Sequence, residues 1–324
     1  MRSAKLYQYS LPMDSGVILR TQRLESREGW VVELREGDAI GYSEIAPLPE
    51  FSKETAEQAG EQAKELLEKW IQGETLDLSA ALPSVAFGLS MVELELAGGL
   101  PPEGNYQVAP LCAGDPDDLV VALSKMPGEK VAKIKVGMYE AVRDGMVANM
   151  FIEAIPGIRL RLDANRQWTP LKAQQFAKYV QPEHRTGIAF LEEPCMNPAD
   201  SLVFAQETGI SIAWDETVRD EGFEVKAESG VAAIIIKPTM VGSIQRCIEL
   251  VKQAHEAGLM AVISSSMESS LGLNQLARLA EWQTPGVIPG LDTMQLFKAQ
   301  LETPWPECRL PVTPLSELEV VWQK

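Results

Sequence analysis

The stretch Arg159-Leu160-Arg161-Leu162-Asp163-Ala164-Asn165 is a short strand-like run that stops in an acid, and Ile188-Ala189-Phe190-Leu191-Glu192-Glu193-Pro194 repeats the design one unit later. Between them lies a polar–apolar stretch of helix length. Working outward, similar runs occur at 107–111, 132–136, 211–214, 232–236 and 261–263, with a weak last one at 287–291. Eight strands alternating with helices have the count and length of a (β/α)8 barrel. A doubly wound sheet is the competing arrangement, but no glycine-rich phosphate turn follows any of these strands.

The charged residues fall where a barrel keeps its chemistry, at the C-terminal ends of the strands. Lys133-Ile134-Lys135, Asp163, Glu192, Asp215 and Lys237 close five successive runs. From Lys135 to Lys237 the separations are 28, 29, 23 and 22 positions, each about one strand–helix unit. Three carboxylates brought to one mouth repel each other and call for a cation. Oxygen-only donors favour a hard ion such as Mg2+, with Mn2+ as an expected substitute. The two histidines, His184 and His255, lie on helical or loop segments, which disfavours zinc. Lys133 and Lys135 share a side-chain parity and should both face inward. A lysine closing the apolar run 231–236 is costly to bury unless it is paired or working.

The first hundred residues read differently. Strands are expected at 6–12, 17–24, 30–35 and 39–44, with turns at Arg27-Glu28-Gly29 and Glu36-Gly37-Asp38. Ser52 is the expected cap of a helix reaching about residue 72, a second helix spans 83–97, and 100–104 reads as a linker.

Composition limits the function classes. Hydrophobic residues make up 45% and charged residues 23% of the 324 positions, as in a globular protein with a substantial core. With 29 basic against 46 acidic residues the net charge is −17, so no nucleic-acid partner is expected. No run is apolar enough for a signal peptide or a membrane span, so neither membrane nor export is expected and the cytoplasm is. The four cysteines form no C-x-x-C pair and read as reduced buried thiols.

Taken together, Lys133-x-Lys135, Asp163-x-Asn165, Glu192-Glu193-Pro194, Asp215-Glu216 and Lys237-Pro238 resemble the signature of the muconate lactonizing subgroup of the enolase superfamily. Further stretches resemble the o-succinylbenzoate synthase family within it, among them Pro83–Gly88, Gly114–Asp118 and Ile263–Ser270. The resemblance implies an α/β fold: a modified (β/α)8 TIM barrel over 105–304 with an α+β N-terminal capping domain over 1–100. A C-terminal tail at about 305–324 would return to that domain.

It also implies roles. Asp163, Glu192 and Asp215 would ligate Mg2+, Lys135 would remove the proton α to a carboxylate, and Lys237 would stand on the opposite face. Lys133 and Asn165 would support them. The reaction implied is a syn dehydration of a small-molecule carboxylate, with no obligate protein partner. Ser264 and Ser265 are candidate hydrogen-bond donors to the substrate, against a plain serine-rich turn. Arg161 fits either an anion contact or a support for Asp163. The loop 14–20 is a candidate lid. Glu193 and Glu216 read as supporting or surface acids. A dipeptide epimerase or N-acylamino acid racemase would keep the same lysines and acids. A non-catalytic barrel or a Schiff-base aldolase using Lys237 would leave the acid triad without a purpose.

Overall fold

The computed structural model describes residues 1–324 throughout and divides them into two compact units. One comprises Met1–Tyr106, Ile236–Val251 and Ile263–Lys324; the other comprises Gln107–Ile235 and Lys252–Val262.

In the first unit, alternate residues of β1 (Arg2–Pro12) turn inward, so Tyr7, Tyr9 and Leu11 are buried while Gln8 and Ser10 are exposed. β1 pairs antiparallel with β2 (Ser26–Glu36), which pairs with β3 (Ala39–Ile45) across the tight turn at Gly37. The far edge of this sheet is β13 (Glu319–Gln323), brought back from the C-terminus. Helices α1 (Ala56–Ile71) and α2 (Pro83–Leu96) supply Ala63, Leu67, Trp70, Val85 and Leu89 to a core with Leu6, Val32 and Leu34 from the strands. β11 (Gln300–Leu301) and β12 (Val312–Thr313) form a short parallel pair.

Three expectations for this region are corrected. Residues 17–24 are not a strand but a loop closed on itself, with Leu24 N donating to Val17 O and a lone bridge between Ile18 and Arg23. Its apolar residues misled: Val17, Leu19 and Leu24 are buried, which is anchoring of a loop rather than pairing of a strand. The helix cap is Thr55, not Ser52. Thr55 and Gln58 exchange side chain-to-backbone bonds in a capping box, whereas the Ser52 hydroxyl accepts from Leu48 N. Arg27-Glu28-Gly29 lies inside β2 rather than in a turn. Gly29 is required there by close approach: a Cβ on it would lie 2.6 Å from the Tyr9 hydroxyl and 2.8 Å from the Ile45 carbonyl.

The parallel sheet runs in the order β10-β9-β8-β7-β6-β5-β4 and curls in the manner of a (β/α)8-type fold. Its strands are β4 (Leu111–Cys112), β5 (Val131–Lys135), β6 (Arg159–Asp163), β7 (Ile188–Glu192), β8 (Ile212–Trp214), β9 (Val231–Ile236) and β10 (Met260–Ile263). Helices α3 (Pro116–Ser124), α5 (Pro170–Tyr179) and α6 (Pro198–Thr208) each open on a cap followed by proline: Asp115-Pro116, Thr169-Pro170 and Asn197-Pro198. α4 (Ala141–Ala154), α7 (Pro238–Val241), α8 (Ile244–Glu256) and α9 (Ser270–Gln283) complete the set. The first strand is shorter than expected, because only its last residue and Cys112 pair with β5.

The eighth expected strand, 287–291, is reduced to one parallel bridge between Ser264 and Gly290. Pro289, directly before Gly290, has no N–H to give a longer ladder. No helix is long and apolar enough to cross a membrane.

The Gly29 contact is testable. Gly29→Ala should lower the unfolding free energy by about 1–3 kcal/mol, because the Ile45 carbonyl is backbone and cannot swing away. Denaturant melts of the two proteins give the difference, and equal midpoints and slopes would mean that the sheet yields at no cost.

Candidate active site

Parallel register levels the strand ends. Lys135 of β5 stands opposite Asp163 of β6, and Asp163 opposite Glu192 of β7. Glu192 pairs with Ala213 of β8, two residues ahead of Asp215. Four of the residues singled out in the sequence thus meet on neighbouring strands. Asp163, Glu192 and Asp215 are buried, with 8%, 3% and 4% of their surface exposed.

The cation among them is Lys133. Its Nζ lies 3.0 Å from Asp163 Oδ2 and 2.9 Å and 3.1 Å from the two oxygens of Glu192. Burial opposes its charge, but the carboxylates of Asp163, Glu192 and Asp215 outweigh that and push its pKa upward. Lys133 therefore serves as a fixed positive charge. Lys135, two residues on and on the same face of the strand, is exposed at its end and is the lysine free of that clamp.

The acids are themselves held. Asn165 donates to Asp163 Oδ1 from its backbone N at 2.9 Å and its side-chain Nδ2 at 2.7 Å. To do so the chain turns through two left-handed residues, Asn165 at φ 49° and Arg166 at φ 57°. Asparagine tolerates this region and arginine less so. Arg166 is kept there by its N–H to the Glu193 carbonyl and by its guanidinium, which pairs with the Glu193 carboxylate and donates to Thr217 Oγ1 at 2.8 Å.

Glu193 is the residue that the sequence left undervalued. It is not a surface acid: 1% of it is exposed. Following Glu192 in an extended chain, it points to the other side of the sheet. There it accepts from Asp215 N at 2.8 Å, Thr217 N at 2.7 Å and Thr217 Oγ1 at 2.9 Å. It therefore pins the backbone that carries Asp215. A glutamate of opposite parity to a working glutamate, with an arginine one unit upstream, was the available signal for it.

Three buried carboxylates outnumber one ammonium, and an all-oxygen donor set with excess negative charge suits a hard divalent cation. No three His, Cys, Asp or Glu side chains are gathered closely enough to ligate a metal by themselves. The Lys133 ammonium is instead the charge drawn in among them. Asp163, Glu192 and Asp215 are the acids that carry that excess charge.

The remaining candidates divide. Arg161 is buried beneath the strand ends with its guanidinium 5.6 Å from the centre of the Phe190 ring. Burial pushes its pKa down to about 10 against the opposing pull of Glu192 and Glu129. Lys237 belongs to the other unit, directly after Ile236, and its carbonyl accepts from Met240 N and Val241 N to open α7. Ser264 and Ser265 share that unit. Ser264 Oγ donates to the Gly290 carbonyl at 3.2 Å, and Ser265 Oγ meets Thr293 Oγ1 at 3.0 Å. The loop at 14–20 is tied by Asp14 N to Leu296 O and by Gly16 N to its own Asp14 side chain.

Residues 1–96 match the family described as MenC, N-terminal domain, and residues 118–304 match the enolase C-terminal domain-like family. A protein of Aliivibrio salmonicida named o-succinylbenzoate synthase is 67% identical over 323 residues, covering 100% of both chains. Among solved structures, o-succinylbenzoate synthase from Thermosynechococcus elongatus BP-1, complexed with Mg in its active site, aligns with a TM-score of 0.71. It is 23% identical and covers 90% of this chain and 93% of that one. The substrate-liganded L-Ala-D/L-Glu epimerase from Bacillus subtilis aligns with a TM-score of 0.72 at 18% identity, covering 91% and 90%. Both likenesses concern the fold, and the fold alone does not separate dehydration from epimerisation.

Excess buried negative charge predicts a stability effect that needs no substrate. Added Mg2+ should raise the melting temperature of the parent, because an ion bound only by the folded state stabilises it. Lys133→Met should melt earlier without Mg2+ and recover more of the loss when it is added. Thermal scans over a Mg2+ series decide the matter, and flat curves for both proteins would mean that the carboxylates hold no divalent ion.

Proposed function

This chain belongs to the o-succinylbenzoate synthase family of the enolase superfamily, and we propose that it dehydrates 2-succinyl-6-hydroxy-2,4-cyclohexadiene-1-carboxylate to 2-succinylbenzoate, a step of menaquinone biosynthesis. The observation that carries this reading is the end-to-end likeness to a relative of that name. The cluster of Lys133 with Asp163 and Glu192, set level with Lys135, supports the chemistry.

The proton to be removed lies α to a carboxylate and is too weakly acidic for an amine acting alone. Asp163, Glu192 and Asp215 would hold Mg2+, which would supply the charge stabilisation that makes its removal feasible. Lys135 then needs only to be a well-placed amine at the end of β5. It takes the proton from the ring carbon that bears the carboxylate and, as an ammonium, returns it to the hydroxyl leaving the adjacent carbon on the same face. One C–H and one C–O bond break, a ring double bond forms, and water departs. The amine is regenerated and the product ring is aromatic.

Lys133 keeps Asp163 and Glu192 charge-balanced and in register. Asn165 and Glu193 hold the acids in place by the hydrogen bonds described above. Lys237 would supply a second positive charge to the anion left when the proton is taken. Ser264, Ser265 and Arg161 are the proposed contacts for the substrate's anionic groups. Each serine would exchange its internal partner for the substrate.

The purified protein with Mg2+ should convert the cyclohexadiene acid with a rise in aromatic ultraviolet absorbance, and EDTA should stop the reaction reversibly. Lys135→Ala should lose turnover by about 10³-fold, the scale of a lost general acid–base group. A Lys135→Ala enzyme near parental rate would remove that lysine from its role. A higher kcat/KM for dipeptide epimerisation than for dehydration would leave the superfamily and overturn the synthase assignment.

A further inference from the structure

Beyond the two serines at the end of β10 the chain continues Ser266-Met267-Glu268-Ser269-Ser270. Glu268 has no part in the chemistry above, yet only 1% of it is exposed. A carboxylate is costly to bury unless its oxygens are satisfied, so the groups that satisfy it indicate what it is for. One oxygen accepts from Thr239 Oγ1 at 2.8 Å and the other from Ser266 N at 2.6 Å. Thr239 lies two residues past Lys237, in the short α7 that hangs on the Lys237 carbonyl. Ser266 directly follows Ser265. Ser264 N donates to Ile236 O, a rung between the two strand ends, and past it the segments part. Glu268 supplies a link beyond the point where backbone pairing holds them.

The loop is clamped from its other side as well. Arg27, fully buried in β2, donates Nε to the Met267 carbonyl at 2.9 Å and Nη2 to the Ser266 carbonyl at 3.3 Å. The same guanidinium reaches the carbonyls of Ala46 and Pro47. Met267 is held at φ 57°, a left-handed conformation that a methionine keeps only when its surroundings over-determine it. Just beyond, Glu44 of β3 accepts from Ser269 N, Ser269 Oγ and Gly272 N, capping α9 from outside its own chain segment. A Cβ on Gly272 would collide with that carboxylate. With both flanks of the loop fastened, Glu268 ties it by a side chain to the segment that follows Lys237.

We propose that Glu268 is a positioning residue that sets where Lys237 stands relative to the hydroxyls of Ser264 and Ser265. The inference rests on the reading of those three residues as substrate-facing. It assigns Glu268 no contact with the substrate; it acts through the two segments that it ties together.

The test uses Glu268→Ala, Glu268→Gln and Thr239→Val in the full chain, assayed with Mg2+ well below their melting temperatures. Misplacement of a charged group by about an ångström costs on the order of 10² in rate, so Glu268→Ala should lose about that factor in kcat/KM. Glutamine keeps an acceptor for Ser266 N and can donate to Thr239 Oγ1, so Glu268→Gln should restore most of the loss. Amide hydrogen exchange, which needs no substrate, should rise together at 237–242 and 264–269 in Glu268→Ala.

A folded Glu268→Ala with parental kcat and KM would overturn the proposal. So would a rise in exchange confined to the serine loop, or a glutamine variant as damaged as alanine. If Glu268→Ala does not fold, Thr239→Val decides by the same two readouts: lowered kcat/KM with joint exchange supports the link, and parental values refute it. A parent protein inactive on the cyclohexadiene acid would instead refute the proposed function, and the exchange result would still judge the link.

Discussion

Negative charge buried at the ends of parallel strands is the constraint around which the second unit is arranged. Hydrophobic strands can be brought together cheaply, but Asp163, Glu192 and Asp215 leave water with them and must find positive charge or hydrogen bonds. Lys133 answers two of the three directly. Because it rises from the strand next to Asp163, the register of β5 against β6 and of β6 against β7 decides whether the pairing exists at all. A shift of one residue would turn every one of these side chains to the other side of the sheet. The site and the sheet are therefore specified by the same ladder.

Within each unit the protein spends further buried carboxylates on fixing loops. Glu193 gathers Asp215 N, Thr217 and Arg166 on the far side of the sheet. In the first unit Glu44 and Glu268 do comparable work on the segment after β10. Glu193 and Glu268 take up backbone N–H groups just past the end of a strand, where its ladder no longer supplies partners, and Glu44 takes up those that open α9. Loops that present chemistry cannot be held by apolar packing alone, because packing tolerates small slides that a directed hydrogen bond does not.

The fold class and the acids and lysines that close its strands were legible in the sequence for one reason. A strand–helix repeat with an acid or lysine closing each strand leaves a periodic trace about one unit apart, and that trace is local in the chain. The errors were equally physical. Arg27-Glu28-Gly29 has the composition of a turn, yet Arg27 is buried by carbonyls from distant segments and Gly29 is demanded by a neighbouring tyrosine. The run 17–24 has the composition of a strand but spends its apolar residues anchoring a loop. Thr55 and Ser52 are both good caps, and only the position of Gln58 relative to the helix start favours Thr55.

Local pattern thus determined the strand–helix alternation and which acids and lysines close the strands, because strand periodicity and unit length are properties of adjacent residues. Tertiary structure alone decided what those residues touch. It made Lys133 the counter-charge and left Lys135 exposed, although the two have the same parity and the same side chain. It also turned Glu193 and Glu268 from anonymous acids into buried anchors. The reason is distance along the chain: Glu193 is bound by groups 22 to 27 residues away, and Glu268 by Thr239, 29 residues away. Burial and charge pairing depend on what the fold brings across such gaps, and no window of sequence contains both partners.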